Sequence, residues 1–249
     1  MILKDRIALV TGAGAGIGQA VAQAYAKQGA TVILLGRKSK RNKVEHTFDL
    51  IQEQGGRSTI VHLDLENELG LVPSVVQGLY ERYGRLDILV NNAAELGGLT
   101  PLEHYDNMLW EKVFRVNVTA PFFLIRELLP LLKKSEDASV INVVSSVAFK
   151  GRHFWGAYAA SKAALANLTE TWSAELEKSS VRMNTVNPGG TATDMRARAF
   201  PGEDPRSIPK PDEITPLFLY LASNYSKTVR GQHLTARDWL GWTPETANQ

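Results

Sequence analysis

A chain of 249 residues is long enough for one large α/β domain or two small ones. Its apolar fraction of 44% and charged fraction of 22% exclude a disordered or fibrous polymer. A formal net charge of +2 is too small for an overall nucleic-acid footprint, and the absence of cysteine removes disulfides, thiol nucleophiles and cysteine-ligated metals. No apolar run reaches about 18 residues and the opening "MILKDR" has no signal-peptide core, so the expectation is a cytoplasmic protein with neither nucleic-acid nor membrane partners.

Short β-branched runs alternate with longer helical patterns along the chain. "RIALV" (6–10) reads as the first strand, and the helix after it carries Ile17, Ala20, Val21, Ala24 and Tyr25 on one face and stops at Gly29. "TVILL" (31–35) is followed by a helix over 43–54, and "STIVHL" (58–63) by one over 73–83. "LDILVN" (86–91) precedes a long helical stretch, 108–133, which Pro121 and Pro130 should kink or trim. "SVINVV" (139–144) leads to a helix over 158–176, and "VRMNTV" (181–186) and "GQHLTA" (231–236) complete the strands. Most of these runs lack polar alternation, as strands covered on both faces do. Repeated β-α units imply a doubly wound α/β fold: a parallel sheet of about seven strands with helices on both faces. No linker or internal repeat divides the chain, so one domain is expected, and the Pro- and Gly-rich stretch 189–212 is expected to be a lid.

The first strand runs into "TGAGAGIG" (11–18) and then a helix. Unpaired N–H groups at a helix start bind a pyrophosphate where glycine lets it approach, which marks Gly12, Gly16, Ile17 and Gly18 as dinucleotide contacts. After the second strand no acidic residue awaits the 2′-OH of NAD; the chain instead reads "GRKSKRNK" (36–43). A 2′-phosphate suits this basic run, so NADP is favoured over NAD, with Arg37 the first choice for the phosphate. Asp64, with Leu65 beside it, either meets the adenine or caps a turn.

"YAASK" (158–162) places a phenol and an ammonium one helical turn apart. Together with TGxxxGxG, "NNAA" (91–94), "VNV" (116–118), "SS" (145–146) and "NPGGTAT" (187–193), in that order, it resembles the short-chain dehydrogenase/reductase family over nearly the whole chain. The C-terminal half is similar to a bacterial subgroup described only as oxidoreductases. The resemblance implies Tyr158 as acid or base, and Lys162 as the cation that lowers its pKa and holds the nicotinamide ribose. Lowering a phenol by three units takes about 4 kcal/mol of preferential phenolate stabilisation. It implies a substrate-polarising serine, assigned to Ser146 with Ser145 open, because Tyr158 follows Ser146 by one residue fewer than is common in the family. Asn117 matches an asparagine in a kinked helix whose backbone holds a relay water. The resemblance further implies that Asn91 stabilises the central sheet and borders the cofactor, that Ala93 lies against the adenosine, that Pro188 and Gly189 form the turn beside the nicotinamide, and that Thr193 contacts its carboxamide or phosphate.

The expected activity is NADP(H)-dependent interconversion of a small-molecule carbonyl and a secondary alcohol; the alternative is a non-catalytic dinucleotide-binding sensor or scaffold. Metal chemistry is not expected, since the histidines show no ligand spacing. Phe149, His153, Phe154, Trp155, Met195, Ala199 and Phe200 form either an apolar substrate pocket or ordinary packing. The resemblance also implies a homodimer or homotetramer, in which Leu165, Leu168 and Trp172 either form a seam or face the sheet. "TARDWLGW" (235–242) replaces the family's usual terminal Gly-Gly.

Overall fold

The seven predicted runs become seven strands of one parallel sheet in the computed structural model, which describes residues 1–244. They are β1 (Ile7–Thr11), β2 (Thr31–Gly36), β3 (Arg57–His62), β4 (Ile88–Asn91), β5 (Ala138–Val143), β6 (Val181–Asn187) and β7 (His233–Thr235), in the spatial order β3-β2-β1-β4-β5-β6-β7. Each lies within two residues of its predicted bounds. β1 pairs with both β2 and β4, placing Leu9 between Ile33 and Leu89. The chain leaves β1 toward one edge of the sheet and later returns beside it toward the other. Between the ends of β1 and β4 a crevice therefore opens at the carboxyl edge.

The described residues form eight α-helices, most of them packed on the sheet: α1 (Gly16–Lys27), α2 (Arg41–Glu53), α3 (Val72–Tyr83), α4 (Asn107–Phe114), α5 (Ala120–Leu132), α6 (Gly156–Glu175), α7 (Asp194–Ala199) and α8 (Thr215–Ala222). Residues of opposite pleat separate into two cores. Ala8, Val10, Val32 and Leu34 pack with α1 and α8 on one face; Leu9, Ile33, Leu89 and Val140 pack with α3 and α5 on the other. Leu165 is buried with Val144 and Ala166, and Trp172 packs on the second core, so these two face the sheet.

The stretch predicted over 108–133 is two helices joined by a π-helical turn, Arg115–Thr119. Pro121 sits in the first turn of α5, where its missing N–H costs nothing, and Pro130 stays inside the last turn. Residues 189–212 hold α7 and a short 3₁₀ turn, Pro205–Ser207. After β7 a further 3₁₀ turn, Ala236–Trp239, brings the Trp239 ring centre to 4.3 Å from that of Tyr220. The largest fully buried side chain is Arg182, held by Asp137 at 3.0 Å and by the carbonyls of Leu221 and Ser223. That ion pair ties β6 to the turn before β5.

Candidate active site

β1 ends at Thr11, whose hydroxyl accepts the N–H groups of Asn92 and Ala93 at 2.9 Å each and donates to Val90 O. Asn92 Nδ2 returns a bond to Thr11 O at 3.0 Å, so the ends of β1 and β4 are locked across the crevice. Gly12 and Gly16 both have left-handed backbone, φ 65° and 54°. A methyl group on Gly18 would come 2.3 Å from Gly12 O, so that glycine lets α1 pack against its own turn. Gly12, Gly16 and Ile17 line the crevice, whereas Gly18 sits behind it. Ala15, the residue before α1, is extended and offers no side-chain cap. The first N–H groups of α1 are therefore left for a ligand. A glycine-walled cradle against an uncapped 12-residue helix fits the pyrophosphate of a dinucleotide.

The crevice measures about 1320 Å³ and continues along the carboxyl edge past Arg37, Lys40, Lys43, Asp64 and Leu65. Arg37 has no ion-pair partner among the described residues, while Arg41 pairs with Glu45 and Lys43 reaches Asp194 of α7 at 3.2 Å. Asp64 caps the turn that the sequence offers as one of its two roles. It lines the crevice, and its carboxylate accepts from Glu66 N and Asn67 Nδ2 to cap the following turn. Asn91 does not reach the crevice. Its Nδ2 donates to Asn142 Oδ1 at 2.8 Å inside the sheet, and Ala93 and Ala94 form the wall instead.

At the other end α6 presents Tyr158 and Lys162 to the crevice. The Lys162 Nζ lies 5.6 Å from the Tyr158 ring centre and donates to Val143 O at 2.7 Å. The Tyr158 hydroxyl has no partner among the described residues. Burial pushes the Tyr158 phenol up to about 12 and pulls the Lys162 ammonium down to about 7. Asn117 sits fully buried in the π turn, away from the crevice. Its Oδ1 accepts from Glu95 N at 2.7 Å; its Nδ2 donates to Glu95 O and to Ser161 Oγ.

Of the two candidate serines, Ser145 follows β5 in extended conformation, lines the crevice and has no hydroxyl partner among the described residues, whereas Ser146 is exposed, opens a 3₁₀ turn and does not line the crevice. Pro188 and Gly189 line the crevice beyond β6, Gly189 with φ 71°, and Thr193 lines it while capping α7 through Arg196 N. Of the aromatic candidates, Trp155 lines the crevice with its ring 5.8 Å from that of Tyr158, as do Met195 and Ala199. Phe149 and Phe154 are half exposed and stand outside it, Phe149 against His233 and Phe154 against His153, while Phe200 packs on Trp155 at 5.7 Å. Thr11 and Asn92 were not singled out in the sequence. Both lie within the quoted motifs, and their signal is a short polar side chain at each of two adjacent strand ends.

Among the described residues no group of three or more His, Cys, Asp or Glu could hold a metal ion, and no helix is long and apolar enough to cross a membrane. Residues 6–204 match the family model for short chain dehydrogenases. The chain is 40% identical over 242 residues to the uncharacterized oxidoreductase YciK of Escherichia coli (strain K12), covering 95% of this chain and 93% of that protein. A short chain dehydrogenase from Pseudomonas syringae superposes with a TM-score of 0.92 at 45% identity, over 94% of this chain and 96% of that one. Another, from Escherichia coli CFT073 and complexed with NADPH, gives 0.92 at 42% identity over 95% and 98%. The chain belongs to the short chain dehydrogenase family.

Proposed function

We propose that the protein is an NADP(H)-dependent oxidoreductase that interconverts a carbonyl and a secondary alcohol, with Tyr158 as acid and base. One domain carries both the cofactor and the substrate sites, and 189–212 serves as its lid. The observation that carries the reading is the unpartnered Tyr158 hydroxyl on the crevice wall with the buried Lys162 amine 5.6 Å from its ring. Support for NADP comes from the basic side chains Arg37, Lys40 and Lys43 on the crevice and from the relative complexed with NADPH.

Gly12, Gly16, Ile17 and the start of α1 would hold the pyrophosphate, Arg37 the 2′-phosphate, Asp64 and Leu65 the adenine, and Ala93 the adenosine. Asn91 braces the sheet behind them. Pro188, Gly189 and Thr193 would flank the nicotinamide, and Lys162 would reach its ribose. When bound, NADPH supplies the hydride for the carbonyl carbon. Ser145 donates its hydroxyl hydrogen to the carbonyl oxygen and polarises it. Tyr158, protonated at neutral pH, gives its proton to the same oxygen. A Lys162 amine poised at about 7 takes up positive charge as the phenolate forms beside it.

Tyr158→Phe tests this. NADPH fluorescence titration should show retained binding, and NADPH consumption across a panel of ketones and aldehydes should vanish. A variant that keeps most of the turnover would remove Tyr158 from the chemistry. Wild-type protein that binds NADPH and consumes none on any carbonyl would favour the sensor.

A further inference from the structure

The chamber around Tyr158 is apolar, and its outer wall is cationic. Leu96, Val147 and Tyr158 form a small cluster with Trp155 and Met195 packed against it. Outside that wall the Phe200 ring carries two guanidinium groups, Arg196 at 3.6 Å and Arg152 at 4.9 Å from its centre; Arg152 also lies 5.6 Å from the Trp155 ring. They differ in how they are neutralised. Arg196 is clamped by Glu203 through two bonds of 2.6 Å. Among the described residues Arg152 has no ion-pair partner and only its two rings, and it stands outside the crevice lining, behind Trp155, whereas Arg198, also without an ion-pair partner among them, lines the crevice from α7. Stacking on aromatic faces orients a guanidinium while leaving its N–H edge free for an anion. The loop bearing Arg152 is also strained: Phe154 adopts left-handed φ of 72°, which a bulky side chain disfavours.

We propose that the carbonyl substrate carries an anionic group, a carboxylate or a phosphate, which docks on Arg152 and Arg198 while its apolar body fills the chamber between Leu96, Trp155 and Met195. This rests on the oxidoreductase reading for the reaction and adds the substrate class. Of the carboxylates along this part of the crevice, Asp194 of α7 is neutralised by Lys43, while Glu95 and Asp212 have no ion-pair partner among the described residues, so an anionic group is favoured only beside the arginines. The substrate then lies with its carbonyl toward Tyr158 and its charge toward Arg198 and Arg152. A bidentate guanidinium–carboxylate contact also discriminates against a neutral analogue of the same shape.

The test pairs 4-carboxybenzaldehyde with 4-methylbenzaldehyde, each reduced with NADPH at low salt by wild type, Arg152→Gln, Arg198→Gln, the double variant and Arg152→Lys. Wild type should favour the carboxylate at least tenfold in kcat/KM. The ratio should fall toward one in the double variant, stay partly restored in Arg152→Lys, and shrink with added salt. A wild-type ratio near one, or a ratio that the double variant leaves unchanged, overturns the proposal. If neither aldehyde is reduced, calorimetric titration of 4-methylbenzoate into the NADP-saturated wild type and double variant decides. At least tenfold weaker binding by the variant keeps the anion site while the reaction reading fails; equal binding overturns the anion site.

Discussion

Lys162→Met replaces a buried amine by an uncharged chain of similar length, and its effect on stability should change sign with pH. In the dinucleotide-free protein burial holds the Lys162 ammonium near 7, against about 10.4 in an unfolded chain. Between those values the unfolded state keeps a proton that the native state has released, so stability rises with pH by up to ~1.4 kcal/mol per unit. Below pH 7 both states are charged, and the native state bears the full burial cost of about 5 kcal/mol. Methionine removes that cost along with the 2.7 Å bond to Val143 O, a bond contributing about 1.5 kcal/mol. The variant should therefore exceed wild type by roughly 3 kcal/mol at pH 6 and fall below it near pH 10. Urea unfolding of both proteins followed by tryptophan fluorescence from pH 6 to 10 measures the difference, and the variant should have no turnover at any pH. A stability difference that stays flat across that range would show that the native ammonium remains solvated and charged, and the reasoning would fail.

Ser145→Ala should lower kcat by about 10²–10³, the effect of losing one donor to the developing oxyanion, while Ser146→Ala stays within a few-fold of wild type; steady-state rates with one carbonyl distinguish them. Arg37→Gln should weaken NADPH relative to NADH by about tenfold or more, read as the ratio of the two kcat/KM values, because a 2′-phosphate loses a charge-assisted contact that NADH never made. Asn117→Ala should lower the unfolding free energy by about 3 kcal/mol, since it strips partners from Glu95 N–H, Glu95 C=O and Ser161 in a buried place. Chemical denaturation measures that loss, and an unchanged midpoint would dissociate the π turn from the site.

How much the sequence disclosed follows from what kind of pattern each element leaves. The central strands, covered on both faces, leave nearly unbroken apolar runs, whereas the edge strands β3 and β7 are marked by β-branched residues and their place in the β-α order; the crevice then follows from topology alone. Helix α8 left no comparable mark. "TPLFLYLA" is apolar nearly all round, with Leu217, Phe218 and Leu221 fully buried, so it shows neither an amphipathic stripe nor alternation. The π turn leaves no mark in the hydrophobic pattern either, and only the match of Asn117 to an asparagine in a kinked helix points to it. Ser145 and Ser146 are chemically identical neighbours. Only the turn of the backbone after Val143 decides which hydroxyl faces the crevice, and the spacing to Tyr158 was the sole trace of it in sequence. Asn91, Gly18 and Asn117 belong to motifs that border the site, yet their side chains or contacts serve the frame behind it. A motif marks a neighbourhood; contact with a ligand depends on which side of the strand end each residue takes.

The frame behind the site explains why a π turn stands there at all. Widening the helix at Arg115–Thr119 brings the Asn117 amide to both Glu95 and Ser161, and Ser161 Oγ in turn donates to Tyr158 O at 2.8 Å. One buried side chain thus joins the loop after β4 to the turn of α6 that carries the phenol. On the opposite side Lys162 is fixed to the end of β5 through Val143 O, two residues before Ser145. Tyr158, Lys162 and Ser145 are each referred to a strand end or to a clasp between elements. With Tyr158 on a 20-residue helix and Ser145 at a sheet terminus, their mutual position depends on the packing of α6 against β5 and β6 rather than on residues 189–212. Under the proposed function, residues 189–212 can then differ in sequence and select the substrate while the acid–base geometry stays constant.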